Sequence, residues 1–143
     1  MCGLVGFWAN SNRTLAGGFK HVVISMSDAI THRGPDDSGH WWDEDIGLAL
    51  GHRRLSIVDL SAEGHQPMVS GSGRYVVVYN GEIYNHMDCR VSLATIGTPL
   101  AWRGHSDTET LLAGFDSWGI QATVERCIGM FAFAVWDKLT RTL

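Results

Sequence analysis

The segment Arg74 to Tyr79, RYVVVY, constrains the fold most. It consists almost wholly of β-branched and aromatic side chains, which fit a pleated, packed surface better than a helix. Asn80-Gly81 follows directly and is a strong hairpin-turn signal, so the spacing predicts a strand that reverses there. Other strand-like runs lie at Cys2 to Trp8, around Trp41-Trp42, at Ile46 to Leu50, Leu55 to Val58 and Met130 to Trp136. Between Phe19 and Ile30 the apolar residues Phe19, Val22, Val23, Met26, Ala29 and Ile30 recur at helical spacing. The Gly- and Pro-containing run His32 to Gly39 ends that helix. A second helix is predicted from Ser106, where Ser106-Asp107-Thr108-Glu109 has the capping-box pattern. It carries Leu111, Leu112, Phe115 and Trp118 on one face and stops at Gly119. A short helix at Ala122 to Cys127 leads into the Met130 strand, and Asp137 to Leu143 reads as a turn entering a further strand. Strands in runs with helices between them predict an α+β layered domain of mainly antiparallel sheets.

Neither repeats nor linkers interrupt the chain, so residues 1–143 read as one domain. That length buries a sizeable core, and 45% hydrophobic with 18% charged residues is ordinary globular composition. A net charge of -4 gives no polycationic footprint, which argues against nucleic acid or an anionic membrane surface as the main partner. No apolar run reaches the roughly 20 residues of a membrane span, and the N-terminus lacks the basic region of a signal peptide. Cys2, Cys89 and Cys127 are an odd, widely spaced set that reads as reduced thiols of a cytoplasmic protein. The histidines share no ligand spacing, so no metal is assigned.

A few residues bear chemistry. Removal of Met1 would leave Cys2 at the N-terminus, with an α-amine of pKa about 7.7–8.0 beside its sulfur. One residue then supplies both nucleophile and base; the plainer reading is a small buried residue opening a strand. Asn80 and Gly81 can direct a side-chain NH₂ and a backbone N–H onto a developing oxyanion, although the same pair serves a simple turn. Glu82 could meet an ammonium group or be a solvated carboxylate. His52-Arg53-Arg54, between two strand runs, reads either as a solvated edge or as a guanidinium grip on a substrate carboxylate. Asp107 either favours a helix N-terminus or binds an amine.

Seven segments occur in order: Met1-Cys2-Gly3, HRGPDDSG (32–39), GHRRLSIVDLS (51–61), GHQPM (64–68), YNGEIYNH (79–86), HSDTE (105–109) and GMFAFAVWD (129–137). Together they resemble the glutaminase domain of glutamine-dependent asparagine synthetases, an N-terminal-nucleophile hydrolase, over essentially the whole chain. The resemblance implies a four-layer αββα sandwich of two antiparallel sheets, with its C-terminal strands missing from this sequence. It implies Cys2 as nucleophile and Asn80 with Gly81 as the oxyanion hole. Arg54, with backbone groups around Ile57 and Val58, would hold the α-carboxylate of glutamine, and Glu82 and Asp107 its α-amine. It implies no cofactor in this domain. ATP and Mg would belong to a synthetase domain outside the sequence, which would receive the ammonia through a tunnel, and a homodimer is compatible with this arrangement.

Three rival readings stay open. One is the glutaminase domain of an enzyme that amidates a sugar or polysaccharide precursor. Another is a catalytically silent regulatory domain. In the third, an N-terminal cysteine crosslinks to abasic DNA, which the acidic charge disfavours.

Overall fold

The computed structural model describes residues 2–9, 17–56, 62–96 and 101–143. The elements run β1 (Gly3–Trp8), α1 (Gly18–Ala29), β2 (Asp37–Asp43), β3 (Leu48–Arg54), β4 (Met68–Val69), β5 (Tyr75–Ile83), α2 (His86–Ala94), α3 (Asp107–Trp118), α4 (Ile120–Val124) and β6 (Gly129–Asp137). They form two antiparallel three-stranded sheets, ordered β1-β3-β2 and β4-β5-β6.

Alternation along β3 and β5 builds the layers, because successive side chains of a strand face opposite sides. Leu48 and Leu50 of β3 meet Val76 and Val78 of β5 and Trp136 of β6 between the sheets. The opposite face of β3 presents Ala49 to Phe19 and Val23 of α1. Tyr75, Val77, Tyr79 and Ile83 of β5 turn to Leu111, Leu112 and Phe115 of α3. The order of layers is therefore α1, sheet, sheet, α3, an α+β αββα sandwich. Each fully buried Val, Leu or Phe in these clusters contributes about 1.5–3 kcal/mol. Arg74 closes the far end of the β5–β6 ladder with a bidentate grip on Asp137 at 2.9 and 2.6 Å. This holds the Asp137 carboxyl well below the usual carboxylate range.

Several local expectations are corrected. Asn80-Gly81 is not a hairpin turn: β5 continues through it, with Asn80 paired to Ala132 and Gly81 to Phe131. Gly81 has φ 150°, and a Cβ there would collide with Met130 O and Phe131 Cα, so this glycine allows close strand approach rather than reversal. His52-Arg53-Arg54 does not separate two strands but completes β3, which pairs with β2 over its whole length and with β1 from Leu48 to Arg53. Ile46 belongs to the turn before β3, and Leu55 and Ser56 follow β3 as irregular chain; Ile57 and Val58 lie outside the described residues.

Helix α2 was not anticipated, and α4 begins at Ile120 rather than Ala122. The capping box is half formed. Ser106 Oγ accepts from Thr108 N at 3.1 Å. Glu109 instead accepts from the backbone N–H groups of Arg103 and Gly104 at 2.8 and 3.1 Å. After Asp137 the chain makes only an isolated bridge from Asp137 to Thr142.

Candidate active site

An open cavity of about 290 Å³ lies between the ends of the two sheets. It gathers Cys2, Arg54, Asn80, Gly81, Glu82 and Asp107, six of the eight residues singled out from the sequence. The other two, Ile57 and Val58, lie outside the described residues.

Cys2 precedes β1, whose first residue, Gly3, pairs with Arg53. Its Sγ accepts from the N–H of Leu55 at 3.4 Å and stands 3.7 Å from the Leu55 carbonyl oxygen. The sulfur is thus anchored at the end of β3, where Arg54 also lies. Strand alternation separates the two arginines: Arg54 lines the cavity, whereas Arg53 turns to α1, 3.7 Å from Asp28. Arg54 is buried and its guanidinium lies against Gly64, where a Cβ would overlap Nη2 and come within 2.7 Å of Cζ.

The HRGPDD run fixes this corner. Asp36 N–H donates to Arg54 O at 3.0 Å, and the Asp36 carboxylate accepts from Ser56 N at 2.8 Å. The Asp37 carboxylate lies 2.7 Å from His65 Nδ1. Burial alone would raise the Asp37 pKa, but the His65 hydrogen bond and charge, the Ser38 N–H and Arg54 together lower it.

The β5 edge carries the remaining groups. The bonds Tyr84 N to Ile128 O and Lys138 N to Arg74 O set the ladder's alternation, so even-numbered residues of β5 bond to β6. The N–H groups of Tyr79, Gly81 and Ile83 therefore lie on the opposite edge, and β4 pairs there only with Val76 and Val77. Tyr79 N–H donates to Gln66 Oε1 at 2.6 Å and Ile83 N–H to Asp107 Oδ2 at 2.9 Å. Gly81 sits between them, on the edge that lines the cavity. Among the described residues, the Asn80 carboxamide has no hydrogen-bond partner in the protein.

Asp107 is the first residue of α3 and is 8% exposed. Tyr79 OH donates to the same Oδ2 at 2.8 Å. Burial, and then the adjacent carboxylate, push the Tyr79 pKa far upward, so the phenol stays a neutral donor. Arg90 of α2 braces the approach to this helix. Its guanidinium donates to Thr110 Oγ1 at 2.8 Å and to the carbonyls of Gly104 and Ser106, both at 3.0 Å. It also stacks 4.0 Å from the Trp102 ring centroid. His52, 1% exposed, joins the sheets behind Asn80 through Nε2, 3.1 Å from Tyr79 O. A carbonyl only accepts, so Nε2 carries the proton and buried Nδ1 is left without a partner. Burial pushes the His52 pKa down to about 4.

Gly64, Gln66, Tyr79, Arg90 and His52 were missed as site-building residues. Gly64 and Gln66 stand in the GHQPM segment and His52 in GHRRLSIVDLS, which were the available signals; nothing local marks Arg90. Among the described residues, no cluster of His, Cys, Asp or Glu is arranged to hold a metal, and no helix is long and apolar enough to cross a membrane.

Residues 1–143 match the family described as a glutamine amidotransferase domain. A protein of Mycobacterium tuberculosis named putative asparagine synthetase (glutamine-hydrolyzing) is 41% identical over 154 aligned residues, covering 100% of this chain and 23% of that protein. Asparagine synthetase (glutamine-hydrolyzing) 1 of Bacillus subtilis is 37% identical, covering 96% of the chain and 21% of its own length. Amidase chry2 of Gibberella zeae is 35% identical over similar shares, 96% and 21%. The chain thus spans under a quarter of each of these relatives.

Proposed function

This chain belongs to the glutamine amidotransferase domain family, and on that premise we propose that it hydrolyses glutamine to glutamate and ammonia through a thioester on Cys2. Arg54 grips the α-carboxylate of glutamine, with backbone groups near Ile57 and Val58, while Glu82 and Asp107 receive its ammonium. Both protein donors to Asp107 use Oδ2, which suits Oδ1 to a ligand. Once Met1 is removed, the Cys2 α-amine takes the thiol proton as Sγ attacks the amide carbon. Asn80 NH₂ and Gly81 N–H stabilise the oxyanion. The C–N bond then breaks, ammonia leaves with the relayed proton, and water cleaves the thioester to glutamate and free Cys2.

One observation carries this reading. Cys2 shares a cavity with two uncommitted donors on a rigid strand, the Asn80 carboxamide and the Gly81 N–H on an edge that β4 leaves uncovered. Donors fixed before charge develops need no reorganisation in the transition state. The ammonia would pass to an ATP- and Mg-dependent synthetase portion of a longer protein. Relatives named asparagine synthetase favour aspartate as the acceptor, amidated by that other portion. Asn80→Ala tests the assignment. Removing one oxyanion donor lowers kcat about 10²–10³-fold with little change in glutamine binding. A kcat within a few-fold of wild type would leave Asn80 a strand residue only.

A further inference from the structure

The mechanism leaves the GHQPM segment without a chemical role, yet its Gln66 is 5% exposed and lines the cavity. Where β4 stops pairing, the N–H of Tyr79 has no strand to bond, and an orphaned buried N–H is costly. The Gln66 side chain takes the place of the missing strand, its Oε1 accepting that N–H at 2.6 Å. Its Nε2 donates to Thr108 Oγ1 at 3.4 Å, one residue beyond Asp107. Its own carbonyl oxygen fills the space beside Gly39, where a Cβ would collide with it, so β2 backs the residue from behind.

We propose that Gln66 is a positioning residue, whose carboxamide sets the Asn80–Gly81 oxyanion donors of β5 against the Asp107 end of α3. This rests on the glutamine-hydrolase reading above. The task needs one acceptor and one donor on a single planar group, which a carboxamide supplies and an aliphatic side chain does not. The bonded N–H belongs to the residue before Asn80, so a shift of the Gln66 side chain moves the donors rather than the Arg54 corner. Gln66 therefore acts on kcat more than on KM.

The experiment uses the full-length enzyme and two variants. Gln66→Ala lowers kcat for glutamine hydrolysis roughly 10–100-fold, as for other small misplacements of catalytic groups, with KM within about threefold. Gln66→Glu keeps the shape. Its ionised carboxylate still accepts the Tyr79 N–H, but it sets a negative charge about 7 Å along the edge from Gly81 N–H, against the oxyanion. Its protonated form has the acceptor and donor of the amide. The ratio of variant to wild-type kcat therefore starts roughly 10-fold below one at pH 8 and climbs toward one at pH 5. Cys2, Arg54, Tyr79, Glu82 and Asp107, which share the cavity, are common to both proteins and cancel in the ratio. A wild-type enzyme that releases no glutamate overturns the hydrolase reading and this role with it. Hydrolysis by the wild type that survives Gln66→Ala within threefold, or a flat ratio for Gln66→Glu, overturns the role of Gln66 alone.

Discussion

Gly64→Ala is a one-carbon test of how the cavity holds its substrate. Gly64 is not among the residues of positive φ, so alanine fits its backbone, and the cost falls on what the new methyl meets. That neighbour is the Arg54 guanidinium, with Cζ 2.7 Å and Nε 3.3 Å from the added carbon. Ordinary contact begins near 3.4 Å, so Cζ must withdraw by about 0.7 Å from 2.7 Å, and Nη2, the nearest atom, by more than that. The end of a long side chain can do this by rotation, and stability changes by less than about 1 kcal/mol. A bidentate grip tolerates the shift poorly, because one of its two N–H···O bonds is lost. A buried charge pair of this kind is worth about 2–5 kcal/mol, and forfeiting half of it raises KM for glutamine roughly 5–70-fold. Steady-state glutamine hydrolysis by the full-length enzyme, with urea midpoints alongside, measures both quantities. An unchanged KM in a stably folded variant refutes the carboxylate grip. A collapsed urea midpoint shows instead that the Arg54–Gly64 contact serves the fold.

Two other predictions concern neighbouring residues. Arg54→Ala raises KM for glutamine by about 2–5 kcal/mol worth of binding and Arg54→Lys restores only part of it, whereas Arg53→Ala, which loses the contact with Asp28, leaves KM within a few-fold; the reverse pattern in the same kinetics places the grip one residue earlier. His52 makes stability depend on pH: its folded pKa of about 4 lies below the unfolded value near 6.5, so its contribution is full above pH 6.5 and is lost as pH falls toward 4. The loss approaches roughly 3 kcal/mol and is absent in His52→Leu, so urea midpoints of both proteins at pH 7.5 and 4.5 reveal it; identical pH dependence contradicts it.

The candidate site was legible in the sequence mainly through its ordered segments. From side-chain type alone Cys2, Arg54, Asn80, Glu82 and Asp107 each kept a plainer reading, and it was the resemblance of seven ordered segments that assigned them roles. The conformation carrying them was less legible. Asn80-Gly81 satisfies hairpin-turn chemistry, and only pairing with Ala132 and Phe131, some fifty residues later, keeps it extended. That pairing is also what turns the Gly81 N–H to the open edge. Helix α2 escaped notice because its buried face is Cys89, Arg90 and Leu93, and a buried arginine breaks the apolar repeat on which helix reading depends. Arg90 is held by the Thr110 hydroxyl, the carbonyls of Gly104 and Ser106 and, at 3.4 Å, the Glu109 carboxylate, partners that no local pattern announces. The apolar faces of α1 and α3 and the strand at Tyr75 were evident in their spacing and pointed to a layered α+β domain, whereas the αββα order rested on the resemblance.

The mass of the N-terminal peptide during turnover reports directly on the Cys2 thioester. The full-length enzyme is mixed with saturating glutamine, quenched in acid within a turnover, digested, and analysed by mass spectrometry. The expected peptide begins at Cys2, without Met1, and carries one γ-glutamyl group on the Cys2 sulfur. That adduct disappears with hydroxylamine and never forms in Cys2→Ala, while Cys89 and Cys127 stay unmodified. Glutamate release from a protein that keeps Met1, or undiminished turnover by Cys2→Ala, would rule out Cys2 as the N-terminal nucleophile.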